Sequence, residues 1–253
     1  MSALNNGLMV FLRVSALLAV FPVFSAPNFP EQLRLALGAL LAGMIGPSLP
    51  DGAAHAEDLW GWVGLMSMEV GVGLLFGFVC RMIFFALEIA GAIVATEIGL
   101  SLPPSINPLS EVQTTAPGSI LYYLAAMLWL SLDLHQWMLV GFMKTYTWLP
   151  VGGAHLTAIC VTDIVAHTSQ MFVIALELAA PIMAVSFIVT LVFSVLGRAV
   201  PQMNVFAESF SVRILAGLSV FGLTLQLMSE QIGNYLRRLP EDMLSVAQML
   251  GTR

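Results

Sequence analysis

The chain has 253 residues, of which 58% are hydrophobic and 9% are charged, and its formal net charge is −6. Because soluble domains carry about 25% charged residues, this composition excludes an ordinary soluble protein and predicts an integral membrane protein. A single lysine and eight arginines form no basic run, so the charge pattern also excludes a nucleic-acid partner.

Apolar runs broken by prolines predict the first helices. The run Leu8–Phe24 ends near three prolines, and the next run, Leu33–Leu49, carries small residues at every fourth position. The spacing of Gly38, Ala42 and Gly46 places them on one helix face, where another backbone can approach closely.

Two longer runs follow, Leu59–Val79 and Met82–Leu100. Each is long enough to cross a membrane, since about 20 apolar residues span the hydrocarbon layer. Arg81 lies between them without an obvious loop, so one long helix and a tight hairpin both remain open. Glycines predict a close-packing side on the first run. These glycines are Gly71, Gly73 and Gly77.

The longest polar stretch, residues 101–118, is predicted to be a loop. Three prolines within six positions forbid a helix and sheet pairing alike. They are Pro103, Pro104 and Pro108. The apolar run Ser119–Met143 then carries polar residues near its middle. It is either one helix with a polar inner patch or two short helices that meet at Leu132.

The run Val165–Leu196 is too long for a simple span. Pro181 inside it is expected to kink the helix by removing a backbone hydrogen bond. A last apolar run, Phe210–Met228, precedes a polar, amphipathic tail at residues 229–253.

A polar connector joins these last two runs. Pro201 lacks an N–H and restricts Val200, which predicts that the helix arriving from Leu196 stops there. Ser209 lies just before the next apolar run, in the position of an N-cap. On these features alone the connector is an ordinary turn between two membrane helices.

Several acidic side chains lie within or beside apolar runs. An ionisable group in mid-membrane costs about 3 kcal/mol on insertion scales and is usually functional. One interpretation is a proton path. We favour pairing with a neighbouring subunit or contact with a water-filled lumen, because no histidine accompanies the acids at helical spacing. The acids are Glu69, Glu88, Glu97, Asp133 and Glu177. The predicted buried polar set is Arg81, Glu88, Glu97 and Glu177.

Motifs of enzyme chemistry do not stand out. The four histidines form no HExxH, and the chain has no GxSxG or phosphate-cradling glycine loop. Cys80 and Cys160 have neither a metal-ligand spacing nor a CxxC arrangement. We therefore predict no catalytic residue, no metal site and no cofactor.

The connector nevertheless has a specific pattern, Arg198-x-x-Pro201-Gln202-x-Asn204-x-Phe206. This string resembles the signature of the FliR/SctT/YscT/SpaR family, the export-gate components of the bacterial flagellum and of type III secretion systems. Further similar segments are Ala175–Pro181, Gly99–Ser101, the Pro108 region and Leu149–Gly152. The resemblance extends over nearly the whole chain, from about Arg13 to Met228.

The resemblance implies an all-α, integral membrane-type protein of kinked helical hairpins, forming a single export-gate domain over residues 1–253. It implies a structural and pore-forming subunit in the bacterial inner membrane, at the flagellar basal body or a secretion-system base. Unfolded substrate proteins would pass through the gate. The implied partners are FliP-type, FliQ-type and FlhB-type subunits, together with membrane lipid. The Pro-Gln-x-Asn-Val-Phe form favours the flagellar branch.

The resemblance also implies roles for particular residues. The segment from Gly99 to about Glu111 would help to plug the closed pore, and its prolines suit a stiff, non-helical obstruction. The plug residues are Gly99, Leu100, Ser101, Leu102, Pro103, Pro104, Asn107 and Pro108. A structural role, fixing the turn and the subunit contacts, is implied for Pro181, Gly197, Arg198, Pro201, Gln202, Asn204 and Phe206.

Two other functions compete with the export gate. A proton-coupled secondary transporter would use Glu88, Glu97 or Glu177, but transporters usually contain internal repeats, and no segment of this chain recurs. An assembly scaffold that never conducts is the weaker alternative. For a scaffold, shortening the proline-rich loop would leave leak and export unchanged.

Overall fold

The computed structural model is all-α, and its described part contains helices and turns without a β-strand. The structure describes residues 2–26, 29–49, 58–100, 115–154, 158–200, 202 and 204–251. The predicted fold class is therefore confirmed.

Short helices come first in the chain. They are α1 (Ser2–Val20), α2 (Pro22–Ser25) and α3 (Glu31–Ile45), with a 3₁₀ turn at Gly46–Ser48. Prolines set these boundaries, because proline is tolerated in a first helical turn but not in a helix interior. Pro22 begins α2 and Pro30 immediately precedes α3.

Longer helices follow. They are α4 (Leu59–Ile98), α5 (Ala116–Ser131), α6 (Leu134–Trp148), α7 (Ala158–Ala199) and α8 (Val205–Gly251). Of the two possibilities around Arg81, the structure has one long helix, α4. The run around Leu132 forms two helices, α5 and α6, with Asp133 between them at φ 54°.

The described helices make this an integral membrane-type protein. Three stretches are long and apolar enough to cross a membrane, and α5 with α6 would add a fourth as a broken span. The three are Leu59–Ile98, Ile164–Ala199 and Ala207–Gly251. The most apolar window of α4 is 61% buried, whereas that of α8 is only 11% buried. This window of α8 therefore leaves most of its apolar surface to lipid or to another protein.

Contacts within the chain divide it into two compact units. The first unit comprises residues 1–83, 130–168 and 236–253, and the second comprises residues 84–129 and 169–235. Helices α4, α7 and α8 each contribute residues to both units.

In the first unit, small residues allow helices to approach α1. Gly38 of α3 lies against Ser15, and Gly77 of α4 lies against Val20. The predicted face of Gly38, Ala42 and Gly46 is buried throughout. The glycine prediction for α4 is right for two positions and wrong for Gly71. That residue is exposed, and a Cβ added to it would meet nothing within 4 Å, because it lies on the other side of the helix.

The C-terminal end of α8 belongs to the same unit and packs on α6. Pro240 lies against Gly141, and Gly251 lies against the carbonyl of Trp148. Four apolar residues that give the predicted tail its amphipathic pattern are buried here. They are Leu236, Leu239, Met243 and Leu250.

In the second unit, glycines again mark the closest helix contacts. Gly91 of α4 lies directly against the backbone of Gly118 in α5, and Gly217 of α8 lies against Ile98 at the end of α4. Helices α5 and α8 therefore both pack on the C-terminal part of α4.

Candidate functional site

A buried ion pair lies within the first unit. Arg13 of α1 donates from Nε to Oε2 of Glu69 at 2.6 Å and from Nη2 to Oε1 at 2.9 Å. The exposed fractions of the two residues are 0% and 1%. Two parallel hydrogen bonds of this kind are the strongest arrangement for an arginine and a carboxylate. The pair joins α1 to α4.

The same pair holds the turn that follows α6. Arg13 Nη1 donates to the carbonyl of Leu149 at 3.1 Å, and the backbone N–H of Gly152 donates to Glu69 Oε1 at 2.9 Å. The guanidinium also lies 4.3 Å from the centre of the Tyr146 ring, a cation–π contact. Gly152 adopts φ 73°, a backbone conformation that favours glycine.

Glu69 therefore has its partner inside the chain. For this residue, the expected pairing with a neighbouring subunit or a lumen is wrong, because Arg13 satisfies both carboxylate oxygens. The sequence showed both groups, but no spacing rule joins residues 56 positions apart. The only sequence signal for this ion pair was that an arginine and a glutamate each lie in an apolar run.

The end of α4 forms a second structured site. Gly99 has φ 86°, its N–H donates to the Thr96 carbonyl at 3.1 Å, and the Leu100 N–H donates to the Ala95 carbonyl at 2.8 Å. These two bonds and a left-handed glycine are a Schellman cap, which satisfies the last carbonyls of a helix. The chain thus leaves α4 in a defined direction.

Helices α7 and α8 hold this helix end in place. The hydroxyl of Ser186 in α7 donates to the carbonyl of Glu97 at 2.9 Å, and Ser186 is only 2% exposed. The ring of Phe210 in α8 lies against Gly99, where an added Cβ would come within 2.7 Å of it. The start of the predicted plug segment is therefore fixed on two sides.

The first described residues after that segment, at the start of α5, also pack on α4. Thr115 caps α5, because its Oγ1 accepts from the Gly118 N–H at 3.3 Å. Gly118 packs on Gly91, which precedes Ile98 on α4 by about two helical turns. Residues 101–114 themselves lie outside the described part of the chain.

The polar connector lies between α7 and α8, and Val200, Gln202 and Asn204 are its described residues. Helix α7 ends at Ala199, so the predicted stop before Pro201 is confirmed. Asn204 is the N-cap of α8, since its Oδ1 accepts from the Ala207 N–H at 3.3 Å. The expectation for Ser209 is wrong, because Ser209 already lies one turn inside α8. Gly197 lets Val205 approach α7 closely.

Comparison with known sequences gives the family. The family described as bacterial export proteins, family 1, matches residues 4–239. The chain belongs to this family.

Curated relatives of this bacterial export protein span most of its length. A protein named flagellar biosynthetic protein FliR from Escherichia coli is 27% identical over 90% of this chain and 87% of its own. The namesake from Caulobacter vibrioides is 29% identical over 86% of this chain and 87% of its own. The one from Bacillus subtilis is 27% identical over 96% of this chain and 95% of its own.

The structure describes only some residues of the predicted family motifs. Gly99 and Leu100 of the plug set lie at the end of α4, whereas Ser101, Leu102, Pro103, Pro104, Asn107 and Pro108 lie outside the described residues. Pro181 lies inside α7, and the kink expected there stays a prediction. In the connector, Arg198, Gln202 and Asn204 are exposed, while Pro201 and the side chain of Phe206 lie outside the described part of the chain.

The four residues of the predicted buried polar set differ in how exposed they are within the chain. Arg81, Glu88 and Glu97 are half-buried, and Glu177 is exposed. Glu177 accepts a hydrogen bond from the Tyr235 hydroxyl at 2.7 Å, which sequence reasoning did not identify. Among the described residues, no hydrogen bond joins the three glutamates to one another. In the same residues, no group of three side chains could hold a metal ion.

Proposed function

We propose that this bacterial export protein is a structural, pore-forming subunit of the flagellar export gate in the inner membrane. It assembles as one export-gate domain with FliP-type, FliQ-type and FlhB-type subunits, and unfolded substrate proteins cross through the assembly. The names of the relatives, which are flagellar biosynthetic proteins, support the flagellar assignment.

The fixed base of residues 101–114 is the observation that carries the proposal. A plug must resist the push of a substrate or of leaking ions, so its attachment must not move freely. Here the departing helix end is capped at Gly99 and held by Ser186 and Phe210. The returning end is capped by Thr115 and packed on Gly91 through Gly118.

Exposed apolar helices support assembly with partners. Helices α7 and α8 leave large side chains open, among them Phe187 at 63% and Leu223 at 80% exposed. Extended apolar surface of this kind marks contact with lipid or with other proteins. A gate subunit would use both kinds of contact.

The composition of the purified assembly tests the proposal. The tagged chain is co-expressed with its FliP-type and FliQ-type partners, purified in mild detergent and weighed as an intact complex. We expect one defined mass that contains one copy of this chain and several copies of each partner. A stable chain that binds neither partner would contradict the proposed gate subunit and favour a proton-coupled transporter.

Shortening the proline-rich segment separates a pore subunit from a scaffold. Replacing residues 101–111 with a shorter Gly/Ser linker should raise the leak of small solutes across the inner membrane and alter export. Replacing residues 51–57, a different connector, with a Gly/Ser linker is the control and should leave leak at the wild-type level. An assembled complex with unchanged leak and export after the first replacement would favour the scaffold.

A further inference from the structure

A cleft lies within the first unit, between α6 and the C-terminal part of α8. Its volume is about 600 Å³, within the range of about 300–1,000 Å³ that is typical of small-molecule sites. The contact of Gly141 with Pro240 precedes the contact of Trp148 with Gly251 along both helices. Helix α6 and this part of α8 therefore run in the same direction along the cleft.

Three charged side chains line the cleft. Lys144 belongs to α6, and Arg237 and Glu241 belong to α8. Within the described residues, none of these three side chains forms an ion pair or a hydrogen bond. The cleft therefore offers two positive charges and one negative charge to a ligand.

The helix contacts also give the order of these charges along the cleft. Lys144 lies three residues after Gly141, and Arg237 lies three residues before Pro240. At 1.5 Å per residue, their backbones are about 9 Å apart along the helix axes. Glu241 directly follows Pro240, so its carboxylate is attached between the two cations. A ligand in the cleft meets both signs of charge over a short distance.

Apolar side chains complete the cleft and continue onto the outer face of α6. Leu134, which is 4% exposed, contributes to the lining, and so do Trp137 and Val140, which are 63% and 45% exposed. Met143, beside Lys144, is 48% exposed. Helix α6 also belongs to the broken candidate span that it forms with α5. A ligand that fits this site therefore combines charged groups with a long apolar part.

These features discriminate between classes of ligand. Inorganic phosphate would pair with Lys144 and Arg237 but would leave the apolar lining in contact with water. A phospholipid with a purely anionic headgroup would cover the apolar side chains but bring no positive charge to Glu241. A phosphate ester that ends in a primary ammonium group supplies both charges, because phosphate accepts hydrogen bonds from lysine and arginine and an ammonium group donates to a carboxylate. Basic pockets between membrane helices bind phospholipid headgroups.

We propose that the cleft binds a phospholipid with a phosphoethanolamine headgroup. The phosphate pairs with Lys144 and Arg237, the ammonium group pairs with Glu241, and the acyl chains pack on Trp137 and Val140. This site goes beyond the proposed function. It requires only the membrane-type fold, and no partner subunit takes part in the binding.

Lipid binding to the full chain tests the site. The purified chain is stripped of lipid in detergent and titrated with phosphatidylethanolamine, phosphatidylglycerol or phosphatidylcholine that carry the same acyl chains. Native mass spectrometry counts the lipids bound. We expect one tight site for phosphatidylethanolamine. The other two lipids should bind about tenfold more weakly, because phosphatidylglycerol has no ammonium group and the ammonium group of phosphatidylcholine has no N–H donor.

Charge variants assign each contact. Lys144→Gln and Arg237→Gln should each weaken the binding of phosphatidylethanolamine about tenfold. Glu241→Gln should remove the preference for this lipid over phosphatidylglycerol, because the carboxylate that pairs with the ammonium group is then gone. Arg238→Gln is the matched control, since Arg238 is an exposed arginine next to Arg237 that does not line the cleft. Its lipid binding should stay at the wild-type level.

Two further measurements locate the lipid. The thermal midpoint of each cleft variant should equal that of the wild type, because the three replaced side chains are exposed. A phosphatidylethanolamine with a photoreactive group near the start of one acyl chain should label a peptide that contains Trp137 or Val140. Lys144→Gln should reduce this labelling.

Several results would overturn the site. Equal or tighter binding of phosphatidylglycerol by the wild type would do so, as would displacement of the lipid by inorganic phosphate or labelling confined to other parts of the chain. A photo-crosslinking residue in place of Val140 that captures a partner polypeptide instead of lipid in the assembled complex would also overturn it. Recovery of the FliP-type and FliQ-type partners is a separate measurement, so a failure of the proposed gate leaves the lipid result standing.

Discussion

Arg13 links three segments of the first unit through one guanidinium. It contacts Glu69 of α4, the carbonyl of Leu149 after α6 and the ring of Tyr146. A buried ion pair adds little net stability compared with apolar residues of the same volume. Removing one partner, however, leaves an uncompensated charge and is strongly destabilising. Replacing one residue of this pair should therefore lower the stability of the chain more than replacing both with apolar residues.

The ion pair gives a prediction for single and double variants. Glu69→Leu should lower the stability of the chain by about 3–5 kcal/mol, because it leaves Arg13 charged and buried and the Gly152 N–H without its acceptor. Arg13→Met together with Glu69→Leu should be less damaging than Glu69→Leu alone. Thermal unfolding of the purified chain in detergent measures both. Additive losses in the double variant would show that the two residues act independently.

Sequence reasoning at the residue scale worked where the signal was local. The stop before Pro201 follows from the missing N–H of proline, and α7 indeed ends at Ala199. The N-cap was misplaced by five residues, since Asn204 and Ser209 both precede apolar residues and both can cap. The Arg13–Glu69 pair could not be predicted, because its geometry depends on the packing of α1 against α4.

At the scale of helices, α4 organises the contacts of both compact units. Its glycines differ in what surrounds them: Gly73 lies against the Arg13 carbonyl, Gly91 against the Gly118 backbone, and Gly71 against nothing within 4 Å. In sequence, the three residues look alike. The helix period shows which glycines share a face, but only the positions of α1 and α5 show which face is in contact.

A pair of glycine substitutions on α4 tests this difference. Gly91→Ala should destabilise the chain by about 1–3 kcal/mol, because the new methyl group meets the Gly118 backbone, which no rotamer change can move. Gly71→Ala is the matched control and should be neutral or stabilising by about 0.5–1 kcal/mol, since alanine favours helix. Circular dichroism during heating reports both changes. Similar losses at the two positions would contradict the contact.

At the scale of the whole molecule, the membrane class and all-α fold follow from composition and run length. The choices left open at Arg81 and Leu132 needed the structure, because apolar composition alone cannot separate one helix from two. The final helix was also longer than expected: α8 continues from Val205 to Gly251 through a polar segment. That segment stays helical because Leu236, Leu239 and Met243 are buried along one side of it.

Two residues of α8 separate folding from assembly. Ile232 is 0% exposed and Leu223 is 80% exposed. Ile232→Ala should lower the stability of the isolated chain by about 2–5 kcal/mol through a buried cavity. Leu223→Ala should change that stability by less than about 0.5 kcal/mol yet weaken association with partners or lipid. Unfolding of the chain alone and partner recovery, measured in parallel, check this. A large stability loss for Leu223→Ala would contradict its exposure.

The long sequence separations around Arg13 set a minimum delay, during synthesis, before this residue can meet its partners. Glu69 follows Arg13 by 56 residues and Leu149 follows it by 136 residues. At about 5–20 residues per second of synthesis, the ribosome supplies the carboxylate about 3–11 s after the arginine and the carbonyl about 7–27 s after it. During that interval α1 carries a positive charge without its final partners. The nascent chain must therefore keep Arg13 in contact with water, lipid headgroups or the insertion machinery, and α1 reaches its buried position only after α4 has been synthesised.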